Sequence, residues 1–207
     1  MIDLYYWTTP NGHKISIALE EMGLEYQVFP INILENDQFQ PDFLRISPNN
    51  KIPAIVDQNG PHGEAISIFE SGAILQYLGR KTGMFYPVDE QQRVEVEQWL
   101  MWQMGGFGPM LGQNHHFSQF AAEKIPYAIE RYVNETKRLY GVLNTQLTGQ
   151  KYVAGEYSIA DMAILPWILS YAWQQIQIDD YPYVKDYMQR LTARPAVQRA
   201  LAIQVNN

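Results

Sequence analysis

The sequence of 207 residues predicts an α/β domain followed by an all-helical domain. Up to about residue 83, short apolar and β-branched stretches alternate with segments of helical spacing, in the order strand, helix, strand and then strand, strand, helix. Beyond about residue 90, amphipathic helical spacing continues without strand-like stretches. We therefore expect a first domain at residues 1–83, a linker at residues 84–89 and a helical C-terminal domain at residues 90–207.

The first half of the α/β domain is predicted to contain a strand, a helix and a second strand. Residues 2–7 have a strand-like composition. Thr9 and Pro10 are typical of a helix start, because threonine caps the first turn and proline fits its backbone angle. Apolar residues then recur at helical spacing until Gly23, which favours the helix end. Residues 25–31 predict the next strand.

The second half is predicted to be a hairpin followed by a helix, after the polar and irregular residues 32–48. Pro53 cannot donate a backbone hydrogen bond to a sheet, so it should lie at the mouth of a strand. There a cis Ile52-Pro53 bond would turn backbone groups toward a ligand. The expected elements are a short helix around residues 41–44, strands at residues 54–56 and 65–68, and a helix that begins at Glu70 or Ser71.

The C-terminal region is predicted to consist of helices with several clear start signals. Helical patterning runs over about residues 90–104, is interrupted at residues 105–109 by glycines and a proline, and resumes over residues 125–147. Ser158 and Asp161 have the spacing of a capping box. Pro166 should kink or shorten the helix that follows, and Pro182 and Pro195 should open the last two helices.

The composition narrows the class of protein. Hydrophobic residues make up 46% and charged residues 18% of the chain, which is typical of a globular protein. A formal net charge of −7 argues against a nucleic-acid binder. The absence of cysteine from the sequence excludes disulfides, thiolate metal ligands and a protein thiol nucleophile. Because the N-terminus lacks the basic start of a signal peptide, we expect a soluble cytoplasmic protein.

Four segments carry a resemblance to a known family. Ser47-Pro48-Asn49-Asn50-Lys51-Ile52-Pro53-Ala54 and Phe69-Glu70-Ser71 resemble the glutathione-binding half of cytosolic glutathione transferases. Thr9-Pro10-Asn11-Gly12-His13-Lys14 and the stretch from Gly108 to His116 look like the bacterial Nu class, the disulfide-bond oxidoreductase type. The resemblance covers essentially the whole chain. It implies a thioredoxin-like N-terminal domain, a homodimer, and glutathione as a cosubstrate without a metal.

The resemblance also implies how glutathione is held. The main chain of Ile52 would pair with the cysteinyl unit, while Glu70 and Ser71 would hold the γ-glutamyl end at the positive end of a helix. Lys51 would pair with the glycyl carboxylate, although a loop lysine is more often simply solvated, and Gln38 would contact the same end. The glutathione-binding residues implied are Asn11, Gln38, Lys51, Ile52, Pro53, Glu70, Ser71 and Arg131.

Thr9 and Asn11 are the candidate catalytic residues. A free thiol with a pKa of about 8.5 is only slightly ionised at neutral pH, so hydrogen bonds from these side chains and the helix dipole are needed to stabilise a glutathione thiolate. The alternative is that Thr9 only caps the helix and that Asn11 is an ordinary first-turn residue. Tyr5 and Tyr6 could replace them as donors, but strand alternation points the two tyrosines to opposite faces, and we favour core or interface positions for them.

Several residues of the C-terminal domain have two interpretations. Arg131 matches an arginine that, in the related subgroup, reaches the neighbouring subunit's glutathione, but it could instead pair with Glu135 within its helix. His115 and His116 are adjacent and therefore point apart on a helix, so a structural or cleft-lining role is favoured over a metal site. The aromatic residues that could line a second-substrate pocket, or could be ordinary core, are Trp99, Trp102, Phe107, Phe117 and Trp173.

Three functions remain open from the sequence. The leading hypothesis is a glutathione-dependent disulfide reductase, in which bound glutathione thiolate attacks a small disulfide and a second glutathione resolves the mixed species. A conjugating transferase or peroxidase would use the same thiolate on an electrophilic carbon or a peroxide oxygen. A catalytically idle binding or regulatory protein is the third, because a fold alone does not establish an activity.

Overall fold

The computed structural model describes residues 1–205, which form two compact units. The first unit contains residues 1–84 together with the segment that begins at Arg194, and the second contains residues 85–193. None of the helices within the described residues combines the length and the apolar composition that crossing a membrane requires.

The first unit is built on a four-stranded mixed sheet, as the sequence predicted. The strand order is β2-β1-β3-β4; β1 is parallel to β2 and antiparallel to β3, and β3 is antiparallel to β4. The elements are β1 (Ile2–Tyr6), α1 (Pro10–Glu21), β2 (Tyr26–Pro30), α2 (Pro41–Ile46), β3 (Ala54–Asp57), β4 (Ile66–Phe69) and α3 (Ser71–Thr82). This order produces a thioredoxin-like domain whose helix starts lie beside the ends of strands.

The passage from β1 into α1 is tightly constrained. Thr9 is the N-cap of α1, and its Oγ1 accepts a hydrogen bond from the N–H of Gly12 at 3.1 Å. A Cβ atom added to Gly12 would lie 2.3 Å from the carbonyl oxygen of Trp7, so only glycine fits at this approach of helix to strand. The head of α1 is thereby fixed against the end of β1.

The last helix, α9 (Pro195–Leu201), belongs to the first unit and packs on α1. Arg194 forms two hydrogen bonds with the carboxylate of Glu21 at 2.6 and 2.8 Å, and Arg199 pairs with Glu20 at 2.6 Å. The sequence placed this segment in a helical domain of residues 90–207, whereas the structure groups the segment that begins at Arg194 with the first unit.

The second unit is entirely helical in its regular structure over the described residues. The sequence predicted an interruption at residues 105–109, which is wrong: Gln103–Phe107 form a π-helical turn that leads directly into another helix. A further π-helical turn at His116–Phe120 follows that helix. The α-helices of this unit are α4 (Glu90–Trp102), α5 (Gly108–His115), α6 (Pro126–Gln146), α7 (Ile159–Ile168) and α8 (Pro182–Thr192).

The predicted capping box opens α7. The Ser158 hydroxyl accepts a hydrogen bond from the N–H of Ala160, and the Asp161 carboxylate accepts from the N–H of Ser158 at 2.8 Å. Pro166 lies inside the helix, which ends two residues later, and every residue of α7 is buried. Prolines open α8 and α9, as predicted.

Candidate functional site

The loop before β3 presents the main chain of Ile52. The Ile52-Pro53 bond is cis, as the sequence predicted, and β3 begins only at Ala54. The hydroxyl of the buried Ser47 donates a hydrogen bond to the carbonyl oxygen of Lys51 at 2.8 Å, which anchors the loop to the interior of the domain. Among the hydrogen bonds described for residues 1–205, none engages the N–H or C=O of Ile52. Both groups can therefore pair with an extended ligand.

Glu70 has an unusual backbone conformation at the start of α3. It is the N-cap residue and adopts φ +68° and ψ 113°, a region that side chains rarely occupy and that costs of the order of 1–3 kcal/mol. Its exposed carboxylate accepts a hydrogen bond from Asn49 Nδ2 at 3.3 Å. A glycine would adopt these angles without the strain, so Glu70 keeps its carboxylate at this position at an energetic cost.

Ser71 and Lys14 lie together at the same helix start. Ser71 is the first residue of α3 and is 7% exposed, while Lys14 is 2% exposed on α1. Lys14 Nζ donates to Ser71 Oγ at 3.5 Å. Burial lowers the pKa of the Lys14 ammonium to about 7, and the charge of Glu70 acts in the opposite direction. The structure thus places a buried amine behind the two residues predicted to hold the γ-glutamyl end.

Sequence reasoning gave no role to Lys14, although a signal was present. Lys14 is separated by three and four residues from Ile17 and Ala18, so it occupies the apolar face of the predicted helix. A lysine on a buried face requires a polar partner. The partner lies on another helix, 57 positions along the chain.

The head of α1 carries both candidate catalytic residues. Thr9 Oγ1 accepts the hydrogen bond that caps the helix, which leaves the hydroxyl hydrogen available to another acceptor. Asn11 is half-buried in the first turn. Capping and contact with a sulfur are therefore compatible at Thr9.

The two tyrosines of β1 are packed residues. Tyr6 is fully buried, and its hydroxyl forms a hydrogen bond of 3.1 Å with His13 Nδ1; burial raises the pKa of Tyr6 to about 12. Tyr5 stacks on Phe29 with ring centroids 5.2 Å apart, and burial followed by the charge of Asp3 raises its pKa. Such phenols are weaker acids than free tyrosine, which makes them poor groups for stabilising a thiolate.

Gln38 lies in a short 3-10 helix, Asp37–Phe39, within the segment expected to be irregular. Its Nε2 donates to the carbonyl oxygen of Ile33 at 3.5 Å, while its Oε1 is buried without a described partner. An unpaired buried acceptor costs about 1–3 kcal/mol, so a ligand that donates a hydrogen bond would be favoured here. Lys51 is exposed.

Arg131 is an exposed residue of α6 and lines a cavity of about 670 Å³ in the second unit. The alternative pairing with Glu135 is not formed. Glu135 instead makes two hydrogen bonds with Arg138 at 2.7 and 2.8 Å, and these, with a smaller contribution from the charge of Arg131, lower the pKa of the Glu135 carboxyl. No ion pair described for residues 1–205 includes Arg131, so its guanidinium can bind an external carboxylate.

The two adjacent histidines have different environments. His115 is buried and stacks on Trp167 with ring centroids 5.7 Å apart, and burial lowers its pKa. His116 is exposed. No group of three or more potential metal ligands is found among the described residues.

The five aromatic residues do not form a single pocket. Trp99, Trp102 and Phe107 form one chain of ring contacts that ends in the core, where Phe107 is fully buried against Tyr140. Phe117 stacks on Tyr132 instead. The fifth residue, Trp173, packs against His115 and is 55% exposed. Of the two interpretations, ordinary core therefore holds for Phe107. Trp99 and Trp102 belong to the same chain of rings, whereas Phe117 and Trp173 contact other rings.

Comparison with known families gives two matches. Residues 2–80 match the glutathione S-transferase N-terminal domain, and residues 113–195 match the glutathione S-transferase C-terminal domain. The N-terminal match includes β1 to β4 and α3 as far as residue 80, and so contains Thr9, Asn11, Ile52, Glu70 and Ser71. Arg131 lies within the C-terminal match.

Individual proteins similar to the chain come from several bacteria. The disulfide-bond oxidoreductase YfcG of Escherichia coli is 54% identical over 97% of this chain and 94% of its own. A Pseudomonas fluorescens glutathione transferase family member, solved with two glutathione molecules bound, has a TM-score of 0.95 at 47% identity and covers 98% of this chain and 93% of its own. A Pseudomonas putida glutathione transferase, solved with one glutathione disulfide bound per subunit, has a TM-score of 0.94 at 46% identity over 98% of this chain and 91% of its own.

Proposed function

The chain belongs to the glutathione transferase family, and from this premise we propose that it is a glutathione-dependent disulfide-bond reductase. The observation that carries the proposal is the head of α1, where the Thr9 hydroxyl accepts the capping hydrogen bond and keeps its own hydrogen, in a sequence that lacks cysteine. The similarity to YfcG, a disulfide-bond oxidoreductase, supports the same activity. The attacking sulfur must then belong to glutathione.

The site residues fit the functional groups of glutathione. The γ-glutamyl end carries an ammonium and a carboxylate: the Glu70 carboxylate suits the ammonium, and Ser71 at the positive end of α3 suits the carboxylate. The cysteinyl unit has an N–H and a C=O, which match those of Ile52 beside the buried Pro53. Lys51 and Gln38 are assigned to the glycyl end, with the unpaired Oε1 of Gln38 as an acceptor for a ligand N–H.

The reaction is a pair of thiol–disulfide exchanges. The glutathione thiolate, held by Thr9 and Asn11, attacks one sulfur of a small disulfide; a new S–S bond forms, the old S–S bond breaks, and the leaving thiolate takes a proton. A second glutathione thiolate then attacks the mixed disulfide, which releases glutathione disulfide and the second substrate thiol. The two electrons that reduce the substrate come from the two glutathione molecules, so the protein needs no redox group of its own.

The active assembly in this proposal is a cytoplasmic homodimer in which Arg131 reaches the partner's glutathione. The free guanidinium of Arg131 supports this role, because a bidentate cation suits a carboxylate or a peptide oxygen of the neighbouring ligand. Light scattering at micromolar concentration should therefore give twice the mass of the chain, and Arg131→Ala should bind glutathione more weakly. A monomer that reduces disulfides at the full rate would contradict the dimeric site.

The activity is tested by steady-state kinetics with 2-hydroxyethyl disulfide and glutathione. Removing one donor to the thiolate should cost about 1–3 kcal/mol, which corresponds to a loss of roughly 5- to 150-fold in kcat/KM for Thr9→Ala and Asn11→Ala. Both variants should also move the midpoint of the rate–pH profile upward, because the thiol pKa rises.

Tyr5→Phe is the matched control, since it removes a hydroxyl from the same strand end without touching the proposed donors. It should keep the full rate. If Tyr5→Phe loses activity while the Thr9 and Asn11 variants retain it, the activation scheme is refuted. If wild-type protein conjugates aryl halides or reduces hydroperoxides faster than it reduces disulfides, the transferase or peroxidase function replaces the proposed one.

A further inference from the structure

Lys14 is an ionisable group that the proposed mechanism does not use. It is 2% exposed, yet its Nζ lies 3.5 Å from the hydroxyl oxygen of Ser71, at the first turn of a helix of twelve residues. An ammonium that donates to the Ser71 oxygen leaves the serine hydrogen to point elsewhere. Lys14 thus contacts Ser71, which is assigned to ligand binding, but is not itself assigned a contact with the ligand.

We propose that Lys14 is a positioning residue for glutathione: its side-chain nitrogen orients Ser71, and the neutral amine form takes up a proton when the γ-glutamyl carboxylate binds at the start of α3. This inference rests on the proposed function, because it assigns that carboxylate to Ser71. It adds a dependence of glutathione affinity on pH, which the contacts assigned above do not by themselves predict.

In the protein without ligand, burial is the main influence on the charge of Lys14. Burial disfavours the charged amine and brings the pKa of Lys14 to about 7, so both protonation states are populated near neutral pH. A ligand carboxylate at Ser71 adds a negative charge close to the amine and favours the protonated state. By linkage, binding takes up a proton at neutral pH, and affinity falls as the pH rises through the range in which Lys14 loses its proton.

Other charged groups near α1 do not account for this behaviour. Glu70 is the described charge that acts on the pKa of Lys14, and His13, which precedes it on α1, has its pKa lowered by burial and is neutral above pH 7. The remaining charges on the helices packed against α1 are already engaged or exposed. They are Arg194, which caps α9 and pairs with Glu21; Arg199 of α9, paired with Glu20; Lys81 of α3, paired with Asp57 of β3; and the exposed Arg80.

The test uses S-methylglutathione, whose blocked sulfur removes the titration of the thiol. Calorimetry at about pH 7.5 in two buffers of different ionisation enthalpy measures the protons taken up on binding. Wild-type protein should take up a fraction of a proton, and its Kd should rise between about pH 6 and about pH 8.5, by up to about tenfold for each unit by which the ligand raises the pKa of Lys14.

Two variants separate the charge from the packing. Lys14→Met keeps the length of the side chain without the charge, so binding should be weaker at about pH 6, independent of pH and without proton uptake. Lys14→Arg keeps a charge that is not lost in this range, so it should restore the affinity while remaining independent of pH. A role in packing alone would not predict that arginine restores binding without restoring the pH dependence.

The outcomes are distinguishable. A wild-type protein that binds S-methylglutathione with a constant Kd and no proton uptake refutes the role of Lys14 and leaves the proposed function intact. Proton uptake that persists in Lys14→Met also refutes it, because another group would then be titrating. If the wild-type protein does not bind S-methylglutathione at any pH, the proposed function itself fails.

Discussion

Lys14 in the first unit and Asp161 in the second are both buried ionisable residues, but their surroundings differ. Lys14 lies beside the start of α3, and Asp161 lies in the first turn of α7. The Asp161 carboxylate accepts hydrogen bonds from the N–H groups of Val153 and Ser158 and from the Tyr187 hydroxyl, at 2.8 to 3.0 Å. These donors belong to its own unit and stay in place. One partner of Lys14 is Ser71, which lies at the proposed ligand site.

In both residues burial is the largest influence on ionisation. It raises the pKa of Asp161 to about 6 and lowers that of Lys14 to about 7. Stability linked to Asp161 is therefore lost as the pH rises toward 6, and stability linked to Lys14 is lost as the pH falls from about 10 toward 7. A buried ionisable group surrounded by donors of its own unit serves the fold, whereas one beside a ligand site can respond to the ligand.

The largest effect is expected for Asp161→Asn. An asparagine at this position turns an NH₂ group toward donors that now meet a carboxylate oxygen, so the free energy of unfolding should fall by about 3 kcal/mol. Urea unfolding followed by circular dichroism measures this change. The control is Asp186→Asn on the exposed face of α8, which should stay within about 0.5 kcal/mol of wild type. Equal effects of the two variants would mean that the fixed donors do not matter.

The next effect concerns the pH dependence of stability at Lys14. Between about pH 7 and about pH 8.5, wild-type protein should gain about 1.5 kcal/mol in unfolding free energy relative to Lys14→Met, because the folded state releases its buried proton before the unfolded state does. Urea midpoints of the two proteins at both pH values give the difference. Lys137→Met, at an exposed position, should show no such trend. If the unfolding free energies of wild type and Lys14→Met change equally with pH, the difference drawn between Lys14 and Asp161 is refuted.

The smallest effect compares the helix caps of the two units. Thr9→Ala and Ser158→Ala each remove an N-cap, so each should lower the unfolding free energy by about 1 kcal/mol. Disulfide reduction should fall only in Thr9→Ala, and Thr9→Ser should retain both stability and activity. A matching loss of rate in Ser158→Ala would indicate that the activity follows stability rather than the hydroxyl at the head of α1.

The elements predicted well from sequence are those with local signals. Thr9 and Pro10 mark the start of α1, and Ser158 and Asp161 mark the start of α7. The position of Pro53 just before a strand indicated the cis bond that the structure contains. Each of these features depends on residues within a few positions of one another. Local propensity and capping are therefore sufficient to identify them.

The features that were missed depend on distant contacts. The glycines near residue 105 suggested a break, yet the backbone stays helical, and a Cβ at Gly108 would lie 2.6 Å from Gln103 Nε2. Lys14 is buried by elements far along the sequence, and its partner Ser71 lies on another helix. Periodicity identifies a helix and its apolar face but not the element that covers that face.

The position of α9 affects how the protein is made. The first unit is covered by a helix that starts at Pro195, so its α1 surface remains open to water while the second unit emerges from the ribosome. Val197 and Ala200, which are fully buried, reach their places only after the intervening helices have been synthesised. Folding of the N-terminal half is thus completed by the C-terminal end of the chain, and a fragment that stops before Arg194 leaves α1 without the helix that shields it.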